Sequence, residues 1–523
     1  MPSQNLRHLL LVPLPAYGHI RPICALAGRL AAEPDVVVTL LIAPNWLEKA
    51  RTDLKAYFPN GHEGHERIRI LSMFESSARD ADFLGHLGPM STKHYPGVYE
   101  TLYHGESIKC AATGKTFPAV PPPTAVILDR YGVADLRATR AISGNTVPVL
   151  TLITFNAASI VRLYGPESLG GVGDLGAKMD AEALRTGRDA AEIGDEMWER
   201  TDGKVLNVPG MPPMYDYEVF PQAIPLPPGV FRTPLLRQAH SMFLECDGAF
   251  LGTSPAYEGK GETLAALKGW FTETMHKPVY TVGPLLPPGY GSDKMESSVT
   301  PRDAEIVEFL DAKRAQFGEK SVVLITFGSI FFPMVPHHLE ELVTALMQKQ
   351  FPFILCHASP YVQIPDHFAT MIKASGLGLT TPWCPQRLIL SHPATGWFMT
   401  HCGHGGIMES LTNGVPMICW PFDGDQPFGA EHLTQTLNVA FHLIEVRTGK
   451  GLQPLRNGRV PKGTREAMAA EIREVFDQAR GEVGEEKRKN AQRLKQELVA
   501  AWEKGGSAHT AIRDFLGTYL PAV

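Results

Sequence analysis

The amino-acid sequence predicts an α/β fold built from two doubly wound parallel sheets. Three observations carry that expectation. Short apolar runs rich in β-branched residues alternate with segments of helical period between Leu9 and Thr151. The rhythm lapses in a stretch rich in Pro, Gly and Ser, Gly283–Thr300. It then restarts between Val322 and Ile444. Strands that alternate with helices pair in parallel and carry helices on both faces of their sheet.

In the first half, Leu9–Leu14 reads as a buried strand and His19–Ala32 as the helix that follows it. Val36–Ala43 is a second strand, and Ile68–Met73, Ala125–Leu128 and Val147–Thr151 are further ones. Ala134–Ser143 reads as a helix between the last two. Residues 160–205 hold polar helical segments broken by glycines and read as an insertion. Asn207–Pro234 is rich in proline and reads as a surface loop, with a lid or pocket wall as the alternative.

In the second half, Val322–Phe327, Phe353–His357, Gly396–Thr400, Val415–Cys419 and Val439–Ile444 read as strands. His338–Gln348 and Gly405–Thr412 read as helices. The tail from Arg465 to Leu516 is helical throughout, and its Glu485–Glu497 portion is a charge-laced, solvated face. The expected division is residues 1–285 for a first domain, 286–300 for a linker, 301–500 for a second domain and 501–523 for a C-terminal helix returning to the first.

Composition narrows the function. A chain of 523 residues suits two or three domains. Its net charge of −6 disfavours a general nucleic-acid binder. The 7 cysteines include no CxxC pair, which fits a reducing compartment. The apolar run Leu9–Val12 is broken by Pro13 and Pro15, too short for a secretory signal. No stretch approaches the roughly 20 apolar residues of a membrane helix. The expectation is a cytoplasmic protein with no integral membrane segment and no nucleic-acid partner, its oligomeric state open.

The most informative block runs from Trp383 to Gln426, WCPQRLILSHPATGWFMTHCGHGGIMESLTNGVPMICWPFDGDQ. A strand leads into the glycine-rich turn Thr400-His401-Cys402-Gly403-His404-Gly405-Gly406, and a helix opens towards Glu409. Such a turn lets backbone N–H groups approach a phosphate, and the helix dipole favours its charge. His401 sits at the turn where a phosphate oxygen would come. Glu409 can accept bonds from ribose hydroxyls. Trp383 offers a flat face for a base, and Gln386 a donor and an acceptor for its edge. Asp425 and Gln426 suit sugar hydroxyls. Taken alone, these features say only that a nucleotide or phosphate binds here. His401, Cys402 and His404, with Cys384 and His392, invite a zinc reading, but their spacing matches no usual site.

The ordered block resembles the donor-binding signature of the family 1 UDP-dependent glycosyltransferases, with nothing inserted or deleted. Pro13–Pro22 (PLPAYGHIRP), Val126–Arg130 (VILDR), Pro278–Leu285 (PVYTVGPL) and Ile325–Ser329 (ITFGS) resemble further segments of that family. The resemblance implies a GT-B fold, two Rossmann-like domains facing across a cleft. The first would bind the acceptor and the second a UDP-sugar, which is a co-substrate, so that no cofactor is needed. It assigns Trp383 to uracil, Gln386 to base or ribose, His401 to the diphosphate, Glu409 to the ribose, and Asp425 and Gln426 to the transferred sugar. Ser329 and the backbone of Gly403, Gly405 and Gly406 would approach the phosphates. Where plant members carry Trp-Asn-Ser, this chain has His404-Gly405-Gly406, which points to a non-plant branch.

The resemblance also assigns a catalytic pair. His19 would be the general base on the acceptor hydroxyl, a task that imidazole suits near neutral pH. Asp129, at a strand end in the same sheet, would orient the ring and stabilise its protonated form. A helix cap is the plain alternative for each, and Asp135 is a nearby rival to Asp129. The implied reaction is a single displacement with inversion, the second domain taking up leaving-group charge without a metal. The resemblance makes glucose the expected sugar, because a donor block that ends in Gln, here Gln426, is the usual glucose-type ending of that family. A phenol, flavonoid or terpenoid is the expected acceptor, its pocket including Phe83, Phe155 and Phe220. A sterol or lipid acceptor is the second reading, and a non-catalytic nucleotide-sugar-binding protein the third.

Overall fold

A computed structural model describes residues 6–58, 63–76, 83–224, 232–291, 301–359 and 364–520. Among these residues two large parallel sheets organise the chain. The first contains β1 (Arg7–Val12), β2 (Val36–Leu41), β3 (Ile68–Leu71), β4 (Pro123–Asp129), β5 (Val149–Ile153), β6 (Gly248–Leu251) and β7 (Val279–Thr281), in the spatial order β7-β6-β5-β4-β1-β2-β3. The second contains β8 (Val322–Thr326), β9 (Phe353–Cys356), β10 (Gly378–Thr381), β11 (Thr395–Thr400), β12 (Met417–Cys419) and β13 (Ala440–His442), in the order β10-β9-β8-β11-β12-β13. In each, the chain runs outward one way, returns to the centre, and runs outward the other way, the doubly wound pattern.

The strands form where the sequence can be buried on both faces. In the second sheet alternate residues serve opposite cores. Val322, Leu324, Ile354, Phe398 and Met417 pack on one side, and Val323, Ile325, Phe353, Met399 and Ile418 on the other. That two-residue alternation needs apolar residues at consecutive positions, and VVLIT and FILC supply them.

Boundaries shift where proline intervenes. β1 ends at Val12, because Pro13 cannot extend the ladder. β5 begins after Pro148 and β12 after Pro416. The helix expected from His19 begins at Tyr17, so His19 lies in its first turn. β6, β7 and β10 have only three or four residues, too few to show a period in the sequence.

The proline-rich segment departs from the surface-loop expectation. Its described part, residues 207–224, buries Val208, Met214, Tyr217, Val219 and Phe220. It also bonds to the second half of the chain. Tyr217 donates to the carbonyl of Pro454 at 2.6 Å, Gln222 to that of Val446 at 2.8 Å, and the Thr448 N–H to that of Pro221 at 3.0 Å. This segment is therefore a strut between the two sheets.

The last helix, Ser507–Tyr519, lies on the first sheet. Phe515 packs edge-on against Phe250 of β6 at 4.8 Å and Tyr280 of β7 at 5.7 Å. Just before it, the Trp502 indole N–H donates to the Pro284 carbonyl at 2.7 Å. The two stretches of chain that pass between the sheets are thus bonded to one another. Among the described residues no helix is long and apolar enough to cross a membrane.

Candidate functional site

Each sheet has one switch point, where neighbouring strands send their following loops in opposite directions and open a crevice. In the first sheet it lies between β1 and β4, in the second between β8 and β11. His19 follows β1 and Asp129 ends β4. Ser329 follows β8, and the His401–Gly406 turn follows β11. The topology brings all four features to crevice mouths.

His19 and Asp129 are joined by a hydrogen bond of 2.6 Å from Nδ1 to Oδ2. The other carboxylate oxygen of Asp129 accepts the Tyr131 N–H at 3.1 Å. Burial works against ionisation of Asp129. The His19 ring, the neighbouring Arg130 guanidinium and the Tyr131 N–H outweigh it and hold the carboxyl below its ordinary value. Arg130 is itself fixed between rings, 3.8 Å from that of Phe155 and 4.4 Å from that of Tyr131. With Nδ1 committed to Asp129, Nε2 is the ring nitrogen available to a substrate proton.

The glycine-rich turn is shaped around His401. A Cβ on Gly403 would lie 2.4 Å from His401 Nε2, and one on Gly328 would lie 2.9 Å from it. Both positions need glycine for that reason, and Gly328 also has a φ of +78°. Cys402, next in the chain, takes a φ of +66°, an unusual conformation for a residue with a side chain. His401 is partly buried, and its buried Nδ1 has no partner among the described residues. The surrounding atoms lower its pKa to about 4, so it stands neutral at pH 7. Ser329 is exposed beside Gly328.

The helix His404–Thr412 opens at this turn, with Gly403 as its N-cap. Asp425 takes the His404 N–H at 3.2 Å. The N–H groups of Gly405 and Gly406 lie in the first turn, where no intrahelical acceptor exists. A Cβ on Gly405 would meet nothing within 4 Å, so the space before these donors is open. Burial raises Asp425 to about 6. Gln426 is turned into its own loop, its Oε1 accepting the N–H of Phe422 at 2.8 Å and of Asp423 at 3.3 Å. Only its Nε2 is left for a ligand.

Glu409 is the centre of a network that crosses between the two halves. Its Oε1 accepts the Tyr290 hydroxyl at 2.5 Å and pairs with Arg21 at 2.5 Å, and its Oε2 accepts the Gln386 amide. Arg21 also donates to the Tyr290 hydroxyl. Trp383 is engaged in the same way. The Lys49 ammonium lies 3.3 Å from the centre of its ring, and Tyr17 meets it edge-on at 5.8 Å. Arg21, Lys49, Tyr17 and Tyr290 were not legible as site residues. Arg21 had one signal, its place two residues after His19 on the same helical start. Tyr290 lay in a stretch read as a linker.

The expected acceptor residues are scattered. Phe155 is half-buried beneath Arg130. Phe220 is a core residue, 7% exposed and edge-on to Trp198, and it is not part of the cavity wall beside Asp129. The side chain of Phe83 lies outside the described residues. A cavity of about 600 Å³ opens instead beside Asp129, walled by Pro13, Pro89, Tyr131, Val133, Asp135 and Leu235. Its mainly apolar wall suits a lipophilic guest.

Comparison with known proteins places the chain in a family and a fold. The family model described as UDP-glucoronosyl and UDP-glucosyl transferase matches residues 293–452. The UDP-glycosyltransferase eriJ of Hericium erinaceus is 32% identical over 533 residues, covering 99% of this chain and 100% of its own. UDP-glycosyltransferase 87A2 of Arabidopsis thaliana is 25% identical, covering 98% and 97%. Among solved structures, a ugt transferase from Siraitia grosvenorii in complex with UDP superposes with a TM-score of 0.68 at 21% identity, covering 98% and 99%. UGT71G1 of Medicago truncatula complexed with UDP-glucose gives 0.67 at 19% identity, covering 99% and 100%. The shared architecture is the GT-B fold.

Proposed function

The chain belongs to the UDP-glycosyltransferase family and is a UDP-dependent glycosyltransferase, and from that premise we propose that it moves glucose from UDP-glucose to a hydroxyl of a lipophilic small molecule, with inversion at the anomeric carbon. The observation that carries the reading is the bond of 2.6 Å between His19 and Asp129 at the crevice of the first sheet, beside a largely apolar cavity.

In this mechanism the acceptor hydroxyl gives its proton to His19 Nε2. The oxygen then attacks the anomeric carbon from the face opposite the diphosphate, and the bond to the diphosphate oxygen breaks. Asp129, held ionised, stabilises the imidazolium that forms. The N–H groups of Gly405 and Gly406, the His404–Thr412 helix terminus and His401 receive the charge that develops on the leaving oxygen. Because His401 is neutral, it acts as a hydrogen-bond donor and not as a counter-ion. Trp383 stacks on the uracil, Glu409 and Gln386 hold the ribose, and Asp425 with the Gln426 amide holds the sugar hydroxyls. A neighbour of the same fold is a complex with UDP, which supports a UDP-sugar as the donor.

The test is a mass-spectrometric screen of phenols, flavonoids and terpenoids with UDP-glucose. The expected product is a monoglucoside with β configuration from the α-linked donor. An α product, or transfer only from another UDP-sugar, would refute the proposal in that respect. A sterol or lipid acceptor would appear as activity confined to membrane-borne substrates.

A further inference from the structure

Asp135 sits in the first turn of the helix Val133–Ser143 and is buried, 7% exposed. An acid at that place usually caps free N–H groups. Here the N-cap is Gly132 and no side-chain cap bond forms. The Asp135 Oδ1 has no hydrogen-bond partner among the described residues. No cation among the described residues compensates it either. Burial alone raises its pKa, to about 7. A buried polar group left without a partner costs about 1–3 kcal/mol, so its retention needs a reason beyond the fold.

The surroundings supply one. Asp135 lines the same cavity as Asp129 and Tyr131. Pro13, Leu14, Pro89 and Val133 contribute apolar surface to the remaining wall, and Ser91, Thr92 and Gln238 add polar side chains. The charged or titratable groups near Asp135 are Lys93, Asp129 and Tyr131 on the cavity wall and Tyr95 beneath the helix. The Tyr95 hydroxyl is bonded to the Thr139 hydroxyl at 2.7 Å, not to Asp135. Lys93 is exposed, and its charge at the rim disfavours a second cation inside.

We propose that Asp135 is a specificity-determining residue of the acceptor cavity, hydrogen-bonding a second hydroxyl of the acceptor while the first is presented to His19. This rests on the transfer reading above and names its substrate class: neutral, largely apolar molecules bearing two hydroxyls. A carboxyl near its own neutral point can both donate to and accept from such a hydroxyl.

The experiment compares a dihydroxynaphthalene with the naphthol that lacks its second hydroxyl. Binding to the full chain without donor is measured by calorimetry, and transfer from UDP-glucose by kcat/KM. The wild type is expected to bind the diol about tenfold tighter, the worth of one good hydrogen bond to a buried partner. Asp135→Leu is expected to erase that ratio, and Asp135→Asn, which keeps a donor and an acceptor, to preserve most of it. An unchanged ratio in Asp135→Leu, or no preference in the wild type, overturns the proposal. Tighter binding of an aminonaphthol than of the diol overturns the neutral-hydroxyl class. Binding that discriminates without any transfer supports the role of Asp135 and instead counts against the transfer reading.

Discussion

Arg21, on the first helix, and Glu409, on the helix that follows the glycine-rich turn, form an ion pair of 2.5 Å between the two sheets. Glu409 is the carboxylate proposed to hold the ribose. In this structure its oxygens are already occupied by Arg21, Tyr290 and Gln386. A donor must therefore exchange its hydroxyls for at least one of these partners. Replacing Arg21 with methionine keeps much of the side-chain bulk and removes the competitor. The expected result is UDP binding tightened roughly fivefold, about 1 kcal/mol. Calorimetric titration with UDP checks this, and weaker binding would mean that Arg21 assists the donor.

The proposed catalytic pair, His19 and Asp129, predicts separate losses. His19→Ala should lower kcat by roughly 10²–10⁴-fold and leave UDP affinity within about twofold. Asp129→Asn should lower kcat by a comparable factor, since it removes both orientation and charge. Single-turnover kinetics with UDP titration separates chemistry from binding. A His19→Ala enzyme of normal rate would displace His19 from its role.

Trp383→Ala should raise the donor KM by roughly tenfold, the worth of one aromatic stacking surface on a base. The kcat should change far less. The same variant frees Lys49 and Tyr17 from their ring contacts, so its melting temperature should be recorded beside the kinetics.

Gly403 and Gly405 make a discriminating pair. An alanine at 403 pushes directly on His401, because its Cβ would lie 2.4 Å from Nε2. An alanine at 405 has open space. Gly403→Ala should lower both stability and activity. Gly405→Ala should fold as the wild type does and still bind UDP at least about fivefold more weakly, because the methyl group intrudes where the diphosphate approaches the helix terminus. Thermal unfolding and UDP titration of the two variants give the comparison.

Two aspartates predict opposite slopes of stability with pH. Asp129 has a folded pKa below its unfolded value, so the folded state binds fewer protons. Its contribution is complete above about pH 4 and is lost as the pH falls through the folded value. Asp135 has a folded pKa raised to about 7, so the folded state binds more protons between about pH 4 and 7. Stability falls across that window as the pH rises. Asp135→Asn should therefore gain stability over the wild type at pH 8 and lose that advantage near pH 4. Denaturant unfolding across this range measures it, and parallel curves would show that Asp135 is not buried in this way.

Much of this was legible in the sequence because it is local. Val36-Val37-Val38 announces a buried strand wherever it occurs. The Trp383–Gln426 block is contiguous, so its order carries the family resemblance on which the donor reading rests. His19 and Asp129 lie far apart in the chain, yet both mark the ends of central strands, and strand ends converge. Other features depend on contacts that no local pattern encodes. Arg21 finds Glu409 only after two separate sheets have formed and met. Phe220 packs edge-on to Trp198 and has the Lys450 ammonium near its ring, contacts that its own segment does not encode. Gln426 carried the right chemistry, but its loop claimed the carbonyl oxygen. β10 contains Gly378 and two threonines and presents no apolar run at all.

The bond from Trp502 to the carbonyl of Pro284 has a mechanical meaning. A protein whose lobes are joined by one tether can swivel freely. Here two strands of chain span the gap side by side and are pinned together, so neither can give way without the other. Any swivel of one half against the other must also strip the proline-rich segment from Val446, Thr448 and Pro454.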